Sequence, residues 1–266
     1  MVQSFITHVL GVSPAKGLGS GQCGTRQRPR YSRGFYGSTN AYYGTVEQQG
    51  RLTLHLHMLV WIKSALTPQE IRDRIMDPSS DFQKEMVHYL EAVHSGEFVR
   101  GTEADVRQRL NDSAVDDARP AAINTLPVAP PCECDTNTCK DGALCESCCY
   151  WNDQYIECVD EILLKCNTHR CRANKRGKCK ARFPRQTFPR TCVDPATGAL
   201  NMKKGEPLLN SFTYLVTYLF RCNTDVTSLL SGTAIKAVVA YISDYISKPS
   251  LKTYVVFDTI KSVFDK

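Results

Sequence analysis

The chain has 266 residues, 42% of them hydrophobic and 9% aromatic, which allows one large domain or two small ones around a packed core and argues against wholesale disorder. A formal net charge of +6 is a mild basic bias, compatible with nucleic acid as a partner. There is no apolar run of the roughly 18 residues that a membrane helix needs, and MVQSFITHVLGV carries no positive charge ahead of its apolar stretch, so it does not read as a signal peptide.

The first 40 residues are rich in Gly, Ser and Arg and are expected to be a helix and loop segment rather than core. NAYYGTVEQ and LTLHLHMLVWI then read as the two strands of a hairpin, with Gly50-Arg51 near the turn. In the second strand Thr53, His55, His57, Leu59 and Trp61 share one side. Leu54, Leu56, Met58, Val60 and Ile62 share the other, and a wholly apolar face with a period of two predicts a sheet with that face on a core.

Thr67-Pro68-Gln69-Glu70 is a capping box with proline at the first helical position, opening a helix over TPQEIRDRIMD. Ser80 with Gln83 repeats the pattern before DFQKEMVHYLEAV. Residues 41–110 thus form a strand pair with helices, and 111–131, acidic and then rich in Pro and Ala, reads as a linker. A cysteine-rich basic segment follows over 132–192. In the last part, 193–266, Gly232 precedes a helix that Pro249 ends. No G-x-x-x-x-G-K-[ST] occurs, so no ATPase motif is present.

Four constellations carry chemistry. His55 and His57 lie on one strand face about 6.5–7 Å apart, a spacing at which two imidazoles can converge on one cation. Glu47 and Gln49, just across the turn, are the candidate third ligands. Mn, Zn, Fe or Ni suit the imidazoles, and Mg is possible with oxygen ligands nearby. An isolated H-x-H is more often two surface histidines on a solvated face. Tyr241, Tyr245 and Lys248 fall at i, i+4 and i+7 of a helix and form one stripe, beside an apolar stripe of Ile235, Val238, Val239, Ile242 and Ile246 that should face the core. A phenol is a poor nucleophile near neutrality because its pKa is about 10, and a cation on the phosphate together with a nearby lysine would lower that barrier. The plain alternative is two tyrosines at a core edge.

The basic run from Arg170 to Arg190 holds nine Lys or Arg and no acid, with Phe183 and Phe188 interleaved. Its cations Arg170, Arg172, Lys175, Arg176, Lys178, Lys180, Arg182 and Arg185 suit phosphates, and its aromatics suit base stacking. The alternative is an exposed solubilising loop. Finally, ten of the 13 cysteines lie between Cys132 and Cys179. A secreted disulfide scaffold would be a small chain with a signal peptide, so zinc is the expectation. Cys145, Cys148, His169, Cys171 and Cys179 are the candidate ligands, sufficient for one tetrahedral site and extendable to two, with the partition left open.

Three passages in order resemble the Rep nuclease domain of Helitron rolling-circle transposases, a member of the HUH endonucleases, named for His-hydrophobic-His. They are AYYGTVEQQGRLTLHLHMLVWI, residues 41–62; HRCRANKRGKCKARFPR, residues 169–185; and RCNTDVTSLLSGTAIKAVVAYISDYISK, residues 221–248. The resemblance implies an α+β fold, an antiparallel sheet with flanking helices, carrying the cysteine-rich segment as an insertion. It implies a divalent metal, Mg or Mn, on His55, His57 and a polar third ligand. It also implies that Tyr241 and Tyr245 are the catalytic tyrosines, with Lys248 beside them. One tyrosine would attack single-stranded DNA, keep the 5′ phosphate and free a 3′ hydroxyl; the other would serve the return transfer. Family members carry an early strand before the region matching residue 1 and a helicase after it, so the chain is expected to be a truncated piece of a nuclear, mobile-element protein. The competing expectation is a catalytically inactive, zinc-containing DNA-binding module.

Overall fold

A computed structural model describes residues 1–13, 30–48, 54–77, 80–116, 120–131, 139, 144–171, 179 and 181–247. In chain order the regular elements are α1 (Val2–Ser4), β1 (Val12–Ser13), β2 (Arg30–Tyr31), β3 (Arg33–Gly34), β4 (Gly37–Gln48), β5 (Leu54–Ile62), α2 (Pro68–Ile75), α3 (Phe82–Val93), α4 (Glu103–Asp116), α5 (Glu146–Ile162), β6 (Cys192–Val193), β7 (Leu200–Asn201), α6 (Tyr214–Phe220) and α7 (Gly232–Ser247). The fold is mixed α+β, with small antiparallel sheets and helices. The chain divides into two compact units, Met1–Gln69 with Leu229–Lys266, and Glu70–Ser228.

The first unit is built on the β4/β5 pair, extended by β3 at the β4 edge. The hairpin expected over these strands is present, in the antiparallel register Tyr43↔Leu59, Thr45↔His57 and Glu47↔His55. Its turn, with Gly50 and Arg51, lies outside the described residues. On the apolar face Tyr42, Met58 and Val60 pack against Ile6, Leu10 and Val12. The N-terminal residues therefore supply core, where the sequence had suggested a helix and loop. Leu10 and Val12 are fully buried because backbone and side chain both tie this segment down. The Phe35 N–H donates to Val9 O at 2.7 Å, and Thr39 Oγ1 donates to Leu10 O at 2.8 Å. Gly34 makes that approach possible, since a Cβ there would stand 2.5 Å from the Leu10 carbonyl. Coverage fades along β5, and Leu54 at the far end is 75% exposed, so only part of the predicted apolar face meets a core.

The second unit centres on α5 and α6. Phe98, Val106, Val159, Leu163, Leu164, Leu209, Phe212 and Tyr218 form its core. Trp151, Tyr155, Val159 and Ile162 repeat at helical spacing along α5, and the first three face this core. Trp151 stacks on Tyr155 at 5.4 Å, and Tyr155 meets Tyr218 of α6 at 4.8 Å. Burial of this cluster pushes the Tyr155 hydroxyl up to about 12. Asp160 is a buried carboxylate on the same helix. It accepts from the Val99 and Arg100 N–H groups at 2.7 and 3.2 Å and from Arg109 Nη2 at 2.8 Å, which binds the loop before α4 to α5.

The stretch expected as a linker, 111–131, begins as the last turns of α4 and continues as a bonded segment. Its Ala122 N–H donates to Glu161 Oε1 at 3.1 Å, and Val128 O accepts from Trp151 Nε1 at 3.0 Å and Tyr218 Oη at 2.8 Å. α4 opens with a capping box, Thr102 N–H to Asp105 Oδ2 at 2.8 Å and Asp105 N–H to Thr102 Oγ1 at 3.3 Å. Asp105 is held below the usual carboxylate range by the Thr102 N–H and then by the Thr102 hydroxyl, both donating to its Oδ2.

Candidate functional site

In the first unit the period of two sets His55 and His57 on one face of β5, and the register sets Thr45 and Glu47 beside them on β4. The two imidazole centroids lie 5.0 Å apart. Glu47 Oε1 stands 3.7 Å from His57 Nε2, both side chains being largely covered. α7 packs against β4 in the same unit, through the stripe that its sequence predicts: Ile242 is buried and Ile235 and Val238 are half-buried. Val239 falls outside that stripe and is exposed, because it lies about 100° around the helix from Val238. This seating puts the Tyr241 ring edge-on to His57, with centroids 5.5 Å apart. Tyr241 remains 48% exposed, so a second molecule can reach it.

Two imidazoles, a carboxylate and a phenol thus meet on one sheet face. The donor set suits a divalent cation of the Mn or Zn kind better than Mg, which prefers an all-oxygen shell. The ligand atoms of His55, His57 and Glu47 do not all come within 4.8 Å of one another. Tyr245 lies one turn further along α7, and its side chain, with Gln49 and Lys248, is outside the described residues.

In the second unit two groups of ligand atoms do converge within 4.8 Å: Cys139, Cys145 and Cys148, and His169, Cys171 and Cys179. Both can hold a metal ion such as zinc. Of the five expected zinc ligands, Cys145 and Cys148 fall in the first group and His169, Cys171 and Cys179 in the second; Cys139, which spacing alone did not single out, completes the first. Around it the Cys145 N–H donates to Cys139 Sγ at 3.2 Å. In the second group His169 Nε2 and Cys179 Sγ are 3.2 Å apart. Cys179 is held below the ordinary thiol range, chiefly by the backbone N–H of Phe183 and also by those of Ala181 and Arg182 and by Cys171. No disulfide joins any two of the ten cysteines among the described residues.

The basic run is partly visible. Arg170 and Arg182 are exposed, whereas Arg172, Lys175, Arg176, Lys178 and Lys180 lie outside the described residues. Phe183 departs from its expected role as a stacking surface. It is 8% exposed, with the His169 ring stacked on it at 4.2 Å and the Arg185 guanidinium over it at 4.6 Å. A ring so covered offers no platform to a base. Arg185 is half-buried and faces Asp225 at 4.0 Å, and its backbone N–H donates to Pro207 O at 2.9 Å. Phe188 is half-buried in a bridge to Lys204.

Sequence reasoning also passed over Lys204. It is buried, donates from Nζ to Leu209 O at 2.8 Å, and is pushed down to about 8 by burial and then by the Arg185 charge, with Asp225 and Glu206 pulling the other way. No local signal marks it, because its burial comes from segments distant in sequence.

No protein-family model, no curated protein and no solved structure matches the chain.

Proposed function

We propose that the chain is the nuclease part of a Helitron-type replication initiator, of the HUH class, which nicks and rejoins single-stranded DNA through Tyr241. The observation that carries this reading is the edge-to-face seating of Tyr241 on His57, beside His55 and Glu47. An H-x-H pair on a strand and a tyrosine on a helix have no local reason to meet, and their meeting on one sheet face is what such chemistry requires.

His55, His57 and Glu47 would hold the divalent cation, which when bound would neutralise charge on the phosphate oxygens. Tyr241 Oη supplies the nucleophile. Its bond to phosphorus forms as the bond to the 3′ oxygen breaks, so the 5′ phosphate stays on the protein. The phenolic proton passes to solvent, and the departing 3′ oxygen takes one up from solvent as a hydroxyl. Glu47 Oε1, 3.7 Å from His57 Nε2, is near enough for the two to share one cation. Tyr245 is the candidate for the return transfer. Exposed Arg170 and Arg182 in the second unit would contact DNA phosphates, and the nucleus is the compartment that such a substrate implies.

A second reading has one observation in its favour. Ligand atoms converge in the two cysteine groups and not among His55, His57 and Glu47, which favours a zinc-containing DNA-binding module without nuclease activity. The two are separated by incubating the chain with 3′-labelled single-stranded DNA and Mn²⁺ or Mg²⁺, then running a denaturing gel. A labelled protein band that disappears in Tyr241→Phe and in His55→Ala/His57→Ala supports the nuclease. Salt-sensitive DNA binding without a band supports the binding module.

A further inference from the structure

We propose that the chain binds two zinc ions at separate structural sites, Cys139/Cys145/Cys148 at the start of α5 and His169/Cys171/Cys179 beyond its end. The spacing of the cysteines is compatible with one shared site, and the helix between them is what excludes it. α5 runs from Glu146 to Ile162 and continues without a break into a π-helical turn, Leu163–Asn167. Cys148 is in its first turn and His169 lies two residues past its end. At about 1.5 Å per residue the two ends stand roughly 25 Å apart. The ligands of one zinc lie about 2.0–2.3 Å from the metal, so no single ion reaches both groups.

Within each group the donors already lie within 4.8 Å of one another, and His169 Nε2 and Cys179 Sγ are 3.2 Å apart, so little movement closes a tetrahedral shell. Thiolate and imidazole donors select zinc over Mg or Mn. The surroundings hold the donors in place. At the first site the Cys145 N–H donates to Cys139 Sγ. At the second the His169 ring is stacked on Phe183 at 4.2 Å, and its backbone N–H donates to Leu208 O at 2.7 Å. Each thiol releases its proton to solvent as it becomes a ligand. Three protein donors leave one position per ion for a water or a further thiolate. The first ion would tie Cys139 to the head of α5. The second would tie the segment after the helix to the 179–185 stretch. These roles stand whether or not the chain cleaves DNA.

The test is the zinc content of the full chain purified without chelator, read by inductively coupled plasma mass spectrometry. Two equivalents are expected, falling to one in Cys145→Ser/Cys148→Ser and to one in Cys171→Ser/Cys179→Ser. A content of one equivalent or none in the unaltered chain overturns the proposal. If either double variant fails to fold, alkylation mapping on the unaltered chain decides. Cys139, Cys145, Cys148, Cys171 and Cys179 should resist iodoacetamide until a chelator is added, while exposed Cys149 reacts at once. Equal reactivity of all six before and after chelation overturns it.

Discussion

The His57 and Tyr241 rings meet edge to face, their centroids 5.5 Å apart, although 184 positions separate them in the chain (241 minus 57). The contact joins a strand face to a helix stripe and makes Tyr241 the nucleophile candidate. Tyr241→Phe should cut the covalent DNA adduct by at least about 100-fold, the scale of losing a group that acts only at the reacting centre. His57→Ala should do the same, since it removes both a proposed cation ligand and the ring against which Tyr241 sits. An adduct that survives Tyr241→Phe at full yield would reassign the role to another residue.

Asp160 should be a main support of the second unit. It is 1% exposed and accepts three hydrogen bonds. Burial raises its pKa, and the backbone donors and Arg109 oppose the rise. Asp160→Ala removes the acceptor of two part-buried N–H groups and of a partly exposed guanidinium, at a cost of about 2 kcal/mol. Urea unfolding followed by circular dichroism should show a lower midpoint. An unchanged midpoint would mean that water replaces the carboxylate without loss.

Lys204 makes a pH prediction. An unfolded lysine titrates near 10.5 and Lys204 in the fold at about 8. Below pH 8 both states are protonated, and the full cost of burying the ammonium is borne. Between pH 8 and 10.5 the fold releases the proton while the unfolded chain keeps it, so this group makes stability rise with pH. The span corresponds to about 3 kcal/mol. Lys204→Met should flatten that rise in paired denaturant titrations at pH 7.5 and pH 10. Parallel curves for the two proteins would refute it.

Exposed cations and buried aromatics of the basic run should behave differently. Arg170→Ala and Arg182→Ala should each reduce the slope of log affinity against log salt for single-stranded DNA by up to about one. Phe183→Ala should leave that slope alone. It should instead lower thermal stability, by about 3 kcal/mol for a large ring removed from a packed site. A slope change in Phe183→Ala without loss of stability would give the ring a part in the proposed DNA contact.

Much of the first unit is legible in the sequence. Alternation along β5 assigned His55 and His57 to one face, and the turn between the strands put Glu47 opposite them. Helical spacing found α7, with Ile235, Val238 and Ile242 turned inward. Capping residues located α2 and α3, although α3 takes Asp81 rather than Ser80 as its N-cap, and Ser80 Oγ accepts the Phe82 N–H at 3.1 Å from one position earlier. These features are local, because backbone geometry alone fixes which residues share a face.

Three helices, α4, α5 and α6, were not read. α5 carries its apolar stripe in Trp151, Tyr155, Val159 and Ile162, but the cysteines among them drew attention to ligand spacing. α6 is only seven residues long, too short for helical periodicity to separate it from a buried strand. Thr102-x-x-Asp105 was a capping signal in plain view.

What the sequence by itself determined is the chemistry available: the histidine face, the tyrosine stripe, the cationic run and a supply of thiols. Tertiary structure decided which of these meet. It brought Tyr241 to His57, divided the thiols between the two ends of α5, and covered Phe183 with His169 and Arg185. Periodicity says which way a side chain faces. What it faces depends on segments far away in the chain, brought there by burial of apolar surface that no local window contains.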